Sequence, residues 1–481
     1  MNLRDIAIVA ALTLPGLAAA QDLTLETIMA DPDWLGNKPE NPYWGADSRS
    51  VYFEQKRQGS KLNDLYSVDT TDGAIAQVAE AHWSQLYRSS IVYSEAGDLH
   101  AWVYAEDVYL GDGNSTRQIT RTAAVESAPM FMADGRRVAF LRDGQFFVFD
   151  PATGLAEQVT DVRFEKDPAD EDDFDVLRAH QEELYEQFRK AEQDEIEARE
   201  RSRSLYDVDS GLGAKPVYMG DEQTSQGQWL SPDGRWLLVV TRDKDFDEGE
   251  AGTMPNYVTL DGHVETREVR TRVGRNGRAP QSVWLVDLER DEKSELGLDN
   301  LPGIDEDPLA DLRASAIEHF VGLGEDRDAA EKRLTAPDVR GIEVYRTHWA
   351  SDGSNAALWV HANDNKDRWI ATIDFEEKKL VSQHRLSDEA WVNNYYPEFG
   401  WLRGNKTIWF ISEDHGYLGL YTKNLADRRS KALVAGEHVV FNPALGPSGK
   451  YLYYRTNAEH PGTYESWRVD VASGDAAQLT N

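Results

Sequence analysis

A pattern of apolar and polar positions recurs along the chain. In each copy, an aromatic or apolar residue comes before a tight polar turn, and a stretch of mainly apolar residues follows. One clear copy starts at Trp229, passes through Ser231-Pro232-Asp233-Gly234 and continues into Trp236–Val240. Asp-Gly tolerates the positive φ of a tight turn, so each copy predicts a β-hairpin. The other copies begin at Tyr43, Phe131, Trp349, Trp401 and Leu445, with a degenerate copy near Trp83 to Tyr93.

A second pattern follows several copies and adds two more strands to the unit. After the strand Gln145–Asp150 come a turn at Thr153-Gly154 and a short stretch, Glu157–Thr160. Clean copies are spaced by about 44 or 52 residues, and a period near 40–50 residues with four strands is typical of a propeller blade. We therefore predict an all-β fold, a seven- or eight-bladed β-propeller of four-stranded blades. The alternative is a chance run of hairpins or a pair of β-sandwiches.

Two long insertions interrupt the repeat. The first, about residues 171–205, is predicted to be helical, because Phe174, Leu177, Leu184 and Phe188 fall on one stripe. The second, about residues 301–339, begins with acidic residues and contains a predicted helix through Leu309 to Val321. Loops of this length within a compact fold are usually functional.

The N-terminus has the pattern of a signal peptide. An apolar run from Ile6 to Leu17 follows Arg4, and small residues precede Gln21. We predict a signal peptide over residues 1–20 and the propeller over residues 21–481, which places the mature protein in the periplasm or outside the cell. A retained membrane anchor is the alternative interpretation, although the run is short for a bilayer span.

Composition narrows the classes of partner. The formal net charge is −34, from 85 acidic and 51 basic residues. Nucleic acids and anionic membranes need a basic face, so neither is expected as a partner. The acidic residues either keep the surface soluble or gather around a pore, where they would attract cationic groups such as peptide N-termini. The absence of cysteine excludes disulfides and a cysteine nucleophile.

The sequence contains no recognisable catalytic motif. The serine-hydrolase elbow G-x-S-x-G is absent, and its nearest relative, Gly446–Lys450, lies in a predicted blade hairpin. Scattered histidines such as His348 and His361 are interpreted as packing or surface residues, and the acid-rich stretch Asp167–Asp175 as a solvated helix entry. We expect no catalytic residue, no metal site and no cofactor.

One pair of residues suggests binding chemistry. Glu182 and Glu183 are adjacent in the predicted inserted helix. Two carboxylates at the mouth of a cavity could bind a peptide ammonium group through charge-assisted hydrogen bonds. The alternative is an ordinary solvated helix face.

Three stretches of the chain together resemble the propeller of the dipeptidyl peptidase IV branch of the prolyl oligopeptidase family. They are Glu126–Asp161, Asp364–Trp369 and Trp401–Tyr421, and the polar helix before Leu205 is also similar to that of bacterial members. The resemblance implies a propeller that caps a C-terminal α/β-hydrolase domain, which supplies the catalytic Ser, Asp and His. It also implies that a Glu pair on a propeller helix binds the free N-terminus of the substrate.

From this resemblance we expect the substrate-gating and N-terminus-recognising propeller of an exported serine peptidase. Glu182 and Glu183 are the nearest match to the family's Glu pair and are the expected substrate-binding residues, although the residues around them differ from the family's tyrosine-then-glutamates pattern. The chain stops at Asn481 after a last-blade strand, so the hydrolase domain is expected to be missing and the chain alone inactive. Expected partners are peptides and that hydrolase domain, and a homodimer is left open. The alternatives are a free-standing periplasmic propeller for protein–protein interaction, and a propeller enzyme with a site of its own.

Overall fold

A computed structural model describes residues 24–45, 47–86, 89–168, 186–208, 211–271 and 277–480. The chain divides into two compact units, Met1–Arg88 and Ser89–Asn481. Within the described residues, no helix has the length and apolar character needed to cross a membrane.

The first unit contains one antiparallel sheet, blade 1, whose four strands pair in chain order. Its strands are β1 (Pro39–Trp44), β2 (Ser50–Lys56), β3 (Asn63–Asp69) and β4 (Ile75–Gln77). Its helices are α1 (Leu25–Met29), α2 (Trp83–Leu86) and the 3₁₀ helices Pro32–Leu35 and Glu80–His82.

The second unit contains six more four-stranded antiparallel sheets. Blade 2 consists of β5 (Ser89–Tyr93), β6 (His100–Tyr104), β7 (Asp107–Gly111) and β8 (Thr116–Gln118). Blade 3 consists of β9 (Glu126–Phe131), β10 (Val138–Arg142), β11 (Gln145–Phe149) and β12 (Ala156–Gln158), and the pair β13 (Asp161–Arg163) and β14 (Pro216–Tyr218) follows it. Blade 4 consists of β15 (Gln223–Leu230), β16 (Trp236–Asp243), β19 (Gln281–Asp287) and β20 (Glu292–Glu295), with an inserted hairpin of β17 (Ala251–Asn256) and β18 (Glu265–Thr271).

The last three blades follow the same strand order. Blade 5 consists of β21 (Ile342–Trp349), β22 (Ala356–Ala362), β23 (Asp367–Asp374) and β24 (Lys379–Ser387). Blade 6 consists of β25 (Phe399–Trp401), β26 (Thr407–Ser412), β27 (Gly419–Asn424) and β28 (Lys431–Val434). Blade 7 consists of β29 (Val440–Leu445), β30 (Tyr451–Thr456), β31 (Glu465–Asp470) and β32 (Ala476–Gln478). The fold is therefore a β-propeller with seven four-stranded blades in the described residues. This confirms the predicted fold class and settles the blade count at seven.

Hydrophobic clusters join successive blades of the second unit. Separate clusters link blades 2 and 3, 3 and 4, 4 and 5, 5 and 6, and 6 and 7. Wide aromatic side chains fill much of this space, and Trp102, Trp359 and Trp369 are wholly buried. Because each cluster joins consecutive blades, the blades pack in chain order from blade 2 to blade 7.

The recurring turns lie between the first and second strands of each blade, and they also connect neighbouring blades. Gly353 has φ +74°, and a Cβ atom there would come within 2.6 Å of Asp233 Cγ in the turn of blade 4. The indole of Trp349 donates to the carbonyl of Trp229 at 3.1 Å, and that of Trp401 donates to the carbonyl of His348 at 2.8 Å. The repeated motif thus serves the contact between blades as well as its own hairpin.

All the long insertions in the second unit lie at the opposite end from these turns. In an antiparallel blade, the second-to-third connection and the connection to the next blade are opposite the first-to-second turn. The first insertion contains helix α3 (Glu186–Val208) and precedes blade 4, and the second contains α4 (Ala310–Gly322) and α5 (Arg327–Arg333) and precedes blade 5. We call the two ends the turn end and the insertion end. The predicted helices are confirmed where residues are described, whereas the hairpin β17–β18 was not predicted.

Candidate functional site

The sequence-predicted site lies on the first insertion. Glu182 and Glu183 fall outside the described residues, so their predicted role stays a prediction. The described part of the insertion begins at Glu186 as the 23-residue helix α3. The parallel pair β13–β14 flanks the insertion and forms a two-stranded sheet of its own.

A cavity of about 540 Å³ lies between helix α3 and the β13–β14 pair. Tyr206 and Arg199 line it from the helix, Arg163 and Tyr218 from the two strands, and Lys215 from the residue before β14. The walls combine aromatic rings with charges of both signs. Such a lining suits a short peptide, which presents a polar backbone, a charged end and side chains of varied character.

The cations of this cavity are held by nearby acceptors. Arg163 donates to Asp161 through two nitrogens, the closer at 2.7 Å, and lies 5.7 Å from the centre of the Tyr218 ring. The hydrogen bonds with Asp161 raise the pKa of Arg163, so it stays charged. Lys215 forms an ion pair with Asp291 at 3.0 Å, and Arg199 donates to the carbonyl of Pro168. These contacts fix the cavity wall before any ligand binds.

A buried ionic network occupies the insertion end of blade 5. The Arg340 guanidinium donates to both oxygens of Asp364 at 2.7 Å and to Asp367 at 2.6 Å. Arg385 donates to the other oxygen of Asp367 at 2.7 Å. Burial alone would raise the pKa of Asp367, but the hydrogen bonds from Arg385 and Arg340 outweigh it and hold the pKa below its usual value. The network ties the second insertion to blade 5, because Arg340 also donates to the carbonyl of Gly303.

Arg368 follows Asp367 in strand β23, and its side chain lies against blade 6. Its guanidinium is wholly buried 4.0 Å from the centre of the Trp359 ring and donates to Ser412 Oγ at 3.0 Å. Burial lowers the pKa of Arg368 to about 10. Two of the stretches that carry the family resemblance, Asp364–Trp369 and Trp401–Tyr421, therefore meet between blades 5 and 6. Sequence reasoning identified these stretches but not Arg340, Arg385 and His384, which lie outside them.

A serine, an acid and a histidine also lie together here. Ser412 donates to Asp414 at 3.2 Å, and His384 Nε2 is 3.0 Å from both oxygens of the same carboxylate. The acid stands between the serine and the histidine, so the imidazole is not placed to take the serine proton as a general base. The hydrogen bond with His384 outweighs burial and lowers the pKa of Asp414. The arrangement connects the two blades and is not that of a catalytic triad.

The histidines named in the sequence analysis are packing residues. His361 is fully buried and forms a hydrogen bond with Asn394, and His348 packs edge-to-face against Phe399 at 4.8 Å. Burial, assisted by Arg278, lowers the pKa of His361 to about 4, so it is neutral near pH 7. Among the residues that the structure describes, no three His, Asp or Glu side chains are grouped to hold a metal ion.

Comparison with known proteins gives one family match. Residues 327–481 match the family described as the dipeptidyl peptidase IV (DPP IV) N-terminal region. This stretch comprises α5 and blades 5 to 7, and the match confirms the resemblance predicted from sequence there. No curated protein sequence matches the chain.

Two solved structures are similar in fold. Dipeptidyl peptidase 4 of Porphyromonas gingivalis has a TM-score of 0.51 and 12% identity, over 96% of this chain and 56% of that protein. A Bacteroides ovatus protein, assigned provisionally as a dipeptidyl aminopeptidase IV, has a TM-score of 0.46 and 11% identity, over 92% of this chain and 54% of that protein. At 12% identity the first likeness supports the fold alone. The chain spans little more than half the length of either relative.

Proposed function

We propose that this chain is the substrate-gating and N-terminus-recognising propeller of an exported serine peptidase of the dipeptidyl type. The observation that carries the proposal is the family match over residues 327–481, in a chain whose first insertion borders a peptide-sized cavity. Bond cleavage would belong to an α/β-hydrolase domain, in which a serine takes the acyl group and then passes it to water.

The proposed role of the propeller is selection and positioning. Passage through a confined channel admits short, flexible peptides and excludes folded proteins. Glu182 and Glu183 would bind the free ammonium group, and a fixed N-terminus places the scissile bond at a set distance from it. The net charge of −34 supports this role, since an acidic protein attracts the cationic end of a peptide.

The test uses the enzyme expressed from the complete gene. We expect it to hydrolyse peptides that have a free N-terminus, and we expect E182Q/E183Q to lower kcat/KM for them at least tenfold, since a hydrogen bond to a charged group is worth about 1.5–3 kcal/mol. N-acetylated peptides should be much less affected. The control is E197Q, which removes an exposed carboxylate from helix α3. An inactive wild-type enzyme would contradict the proposal, and equal losses on free and blocked peptides would remove the role of the Glu pair.

We also infer that the mature chain begins near Gln21 outside the cytoplasm, as the N-terminal pattern indicates. N-terminal sequencing of the protein recovered from the periplasm or the medium tests this directly. A protein that starts at Met1 and fractionates with the cytoplasm would contradict it.

Homodimer formation is part of the proposal, and the hairpin β17–β18 supports it. The tip of the hairpin, residues 257–264, exposes Tyr257 and Val258, and Leu260 is fully exposed. A two-stranded hairpin is only marginally stable by itself, so an apolar tip of this kind suggests packing against a second copy. V258D/L260D should shift the mass measured by light scattering from dimer to monomer, with E265Q, at an exposed position of the same hairpin, as control. A wild-type protein that is monomeric at micromolar concentration would contradict this part.

A further inference from the structure

One face of helix α3 borders the cavity of about 540 Å³ that separates it from the β13–β14 pair. The helix contributes Ile196, Arg199, Glu200, Ser202 and Tyr206 to the lining. The spacing of Ile196, Arg199 and Tyr206 along the chain places all three on one face of the helix. Ile196, the aliphatic residue of this face, is 45% exposed. The space between the helix and the strands is therefore open to a ligand.

Two of the cations that line this cavity are already paired with carboxylates. Arg163 donates to Asp161 at 2.7 Å and lies 3.6 Å from Glu165, and Lys215 lies 3.0 Å from Asp291. An anionic ligand would have to displace these carboxylates to reach either cation. The strand wall therefore offers little net attraction for an anion.

Arg199 differs from these two cations because it has no carboxylate partner. Within the part of the chain that the structure describes, its guanidinium makes no ion pair, and its Nη1 donates to the carbonyl of Pro168. Glu200 follows it directly, but adjacent positions of a helix do not face each other. The Nε and Nη2 groups, which lie on one edge of the guanidinium, have no acceptor among the described residues.

The same edge of another arginine binds a carboxylate elsewhere in this protein. Arg340 donates from Nε and Nη2 to the two oxygens of Asp364, both at 2.7 Å. Two parallel hydrogen bonds of this kind are strong and match the geometry of a carboxylate. The unoccupied edge of Arg199 is thus suited to a carboxylate that a ligand brings into the cavity.

We propose that Arg199 is a specificity-determining residue that binds the C-terminal carboxylate of the peptide substrate. Tyr206 lies about two turns further along the same face, so its ring lines the cavity beside a peptide bound at Arg199. The inference rests on the proposed peptidase function and adds the class of substrate.

The proposal defines the substrate by its two ends. A peptide that is held by its ammonium group at Glu182 and Glu183 and by its carboxylate at Arg199 has both ends free. The preferred substrates are therefore short peptides rather than the N-termini of intact proteins. Endopeptidase cleavage is the class of reaction that must supply them.

The test uses the enzyme expressed from the complete gene and compares an alanine pentapeptide that ends in a free carboxylate with the same peptide ending in an amide. We expect kcat/KM for the free acid to exceed that for the amide about tenfold, because amidation removes a hydrogen bond to a charged group. R199Q should lower this ratio about fivefold through KM, and R199K, which lacks the planar fork, should give an intermediate ratio. Thermal melting of each variant confirms that it is folded.

The matched control is R189Q, which removes an exposed arginine of the same helix that does not line the cavity and should keep the wild-type ratio. An amidated pentapeptide with glutamate as its last residue distinguishes a side-chain carboxylate from a C-terminal one, and it should be cleaved like the other amide. Equal rates for acid and amide in the wild type, an unchanged ratio in R199Q, an equal change in R189Q, or full recovery with the glutamate peptide would each overturn the inference. A wild-type enzyme that cleaves none of these peptides would instead count against the proposed function.

Discussion

The two ends of the second unit are built in different ways from the same strands. At the turn end, short hairpins of similar sequence pack against one another, and their contacts involve glycines, indole N–H groups and main-chain carbonyls. At the insertion end, connections of unequal length carry helices, a projecting hairpin and buried ion pairs. The repeated turns hold neighbouring blades together. Recognition of a ligand needs parts of the chain that are not repeated, and only the insertion end has them.

The comparison also shows where the chain tolerates change. In the recurring turns, Gly353 and Gly449 are constrained both by their positive φ and by a side chain of the neighbouring blade, whereas Gly262 in the hairpin β17–β18 has φ +74° and nothing within 4 Å of its missing Cβ. The insertion end depends instead on charges that must stay paired. We therefore expect the two ends to respond to different perturbations.

The largest effect is expected from breaking the ionic network at the insertion end. D367A leaves Arg340 as a buried cation with one of its two carboxylates removed, and loss of a partner from a buried pair costs about 3–5 kcal/mol. Denaturant unfolding monitored by tryptophan fluorescence measures this. The control is D299A, whose pair with Lys379 is exposed and screened by solvent, so its loss should change the stability much less than D367A does. Equal losses of stability for the two variants would show that the buried network contributes no more than an exposed ion pair does.

The next effect is a pH dependence that arises at the same end. The pKa of buried His361 is about 4 when folded, below its ordinary value of 6.5, so below pH 6.5 the unfolded chain binds a proton that the folded chain excludes. Stability should therefore fall as the pH drops from 6.5 to 4, by about 3 kcal/mol from this group at 1.36 kcal/mol per pKa unit.

The measurement compares unfolding of the wild type and H361Q at several pH values. H361Q should lose stability at pH 7 but show a flatter dependence between pH 6.5 and 4. Asp367 adds a separate loss at lower pH, because its depressed pKa contributes stability that disappears as the pH falls through its folded value. An unchanged slope in H361Q between pH 6.5 and 4 would rule out His361 as the source.

A smaller effect should distinguish the turn glycines. G353A places a Cβ against Asp233 and forces a positive φ, so it should destabilise the protein by about 2 kcal/mol or more. G262A has the same φ but open space, and should cost only about 1 kcal/mol. Differential scanning calorimetry of both variants tests the packing role of the turn. If both variants lose the same stability, the positive φ alone accounts for the glycine in the recurring turn, and packing against the neighbouring blade does not.

The smallest effect concerns a single hydrogen bond between blades. W401F removes the indole N–H that donates to the carbonyl of His348 while keeping an aromatic ring, and should cost about 1 kcal/mol. The control W391F changes an exposed ring and should lie within about 0.5 kcal/mol of wild type. Urea midpoints with constant m-values provide the measurement.

The sequence allowed the propeller, the four-stranded blades and the helices of both insertions to be predicted, because alternation and turn chemistry are local signals. The turn motif in the sequence accounts for the positive φ of glycines such as Gly353. The contact between Gly353 and Asp233 could not be predicted, because Asp233 belongs to another blade and lies more than 100 residues away in the chain. The hairpin β17–β18 escaped prediction because its strands are polar and exposed, which leaves little periodicity. Arg340 and Arg385 could not be paired with Asp367 from sequence, since the fold alone brings their three segments together.

The central claim is that peptides are recognised at the insertion end of the second unit. Hydrogen exchange of this chain, measured with and without saturating trialanine, tests it most directly, with N-acetyl-trialanine as control. We predict slower exchange in residues 186–208 and 215–218 with the free-amine peptide, and no change in the turns at residues 93–97 and 403–405. Protection confined to those turns, or equal protection by both peptides, would contradict the account.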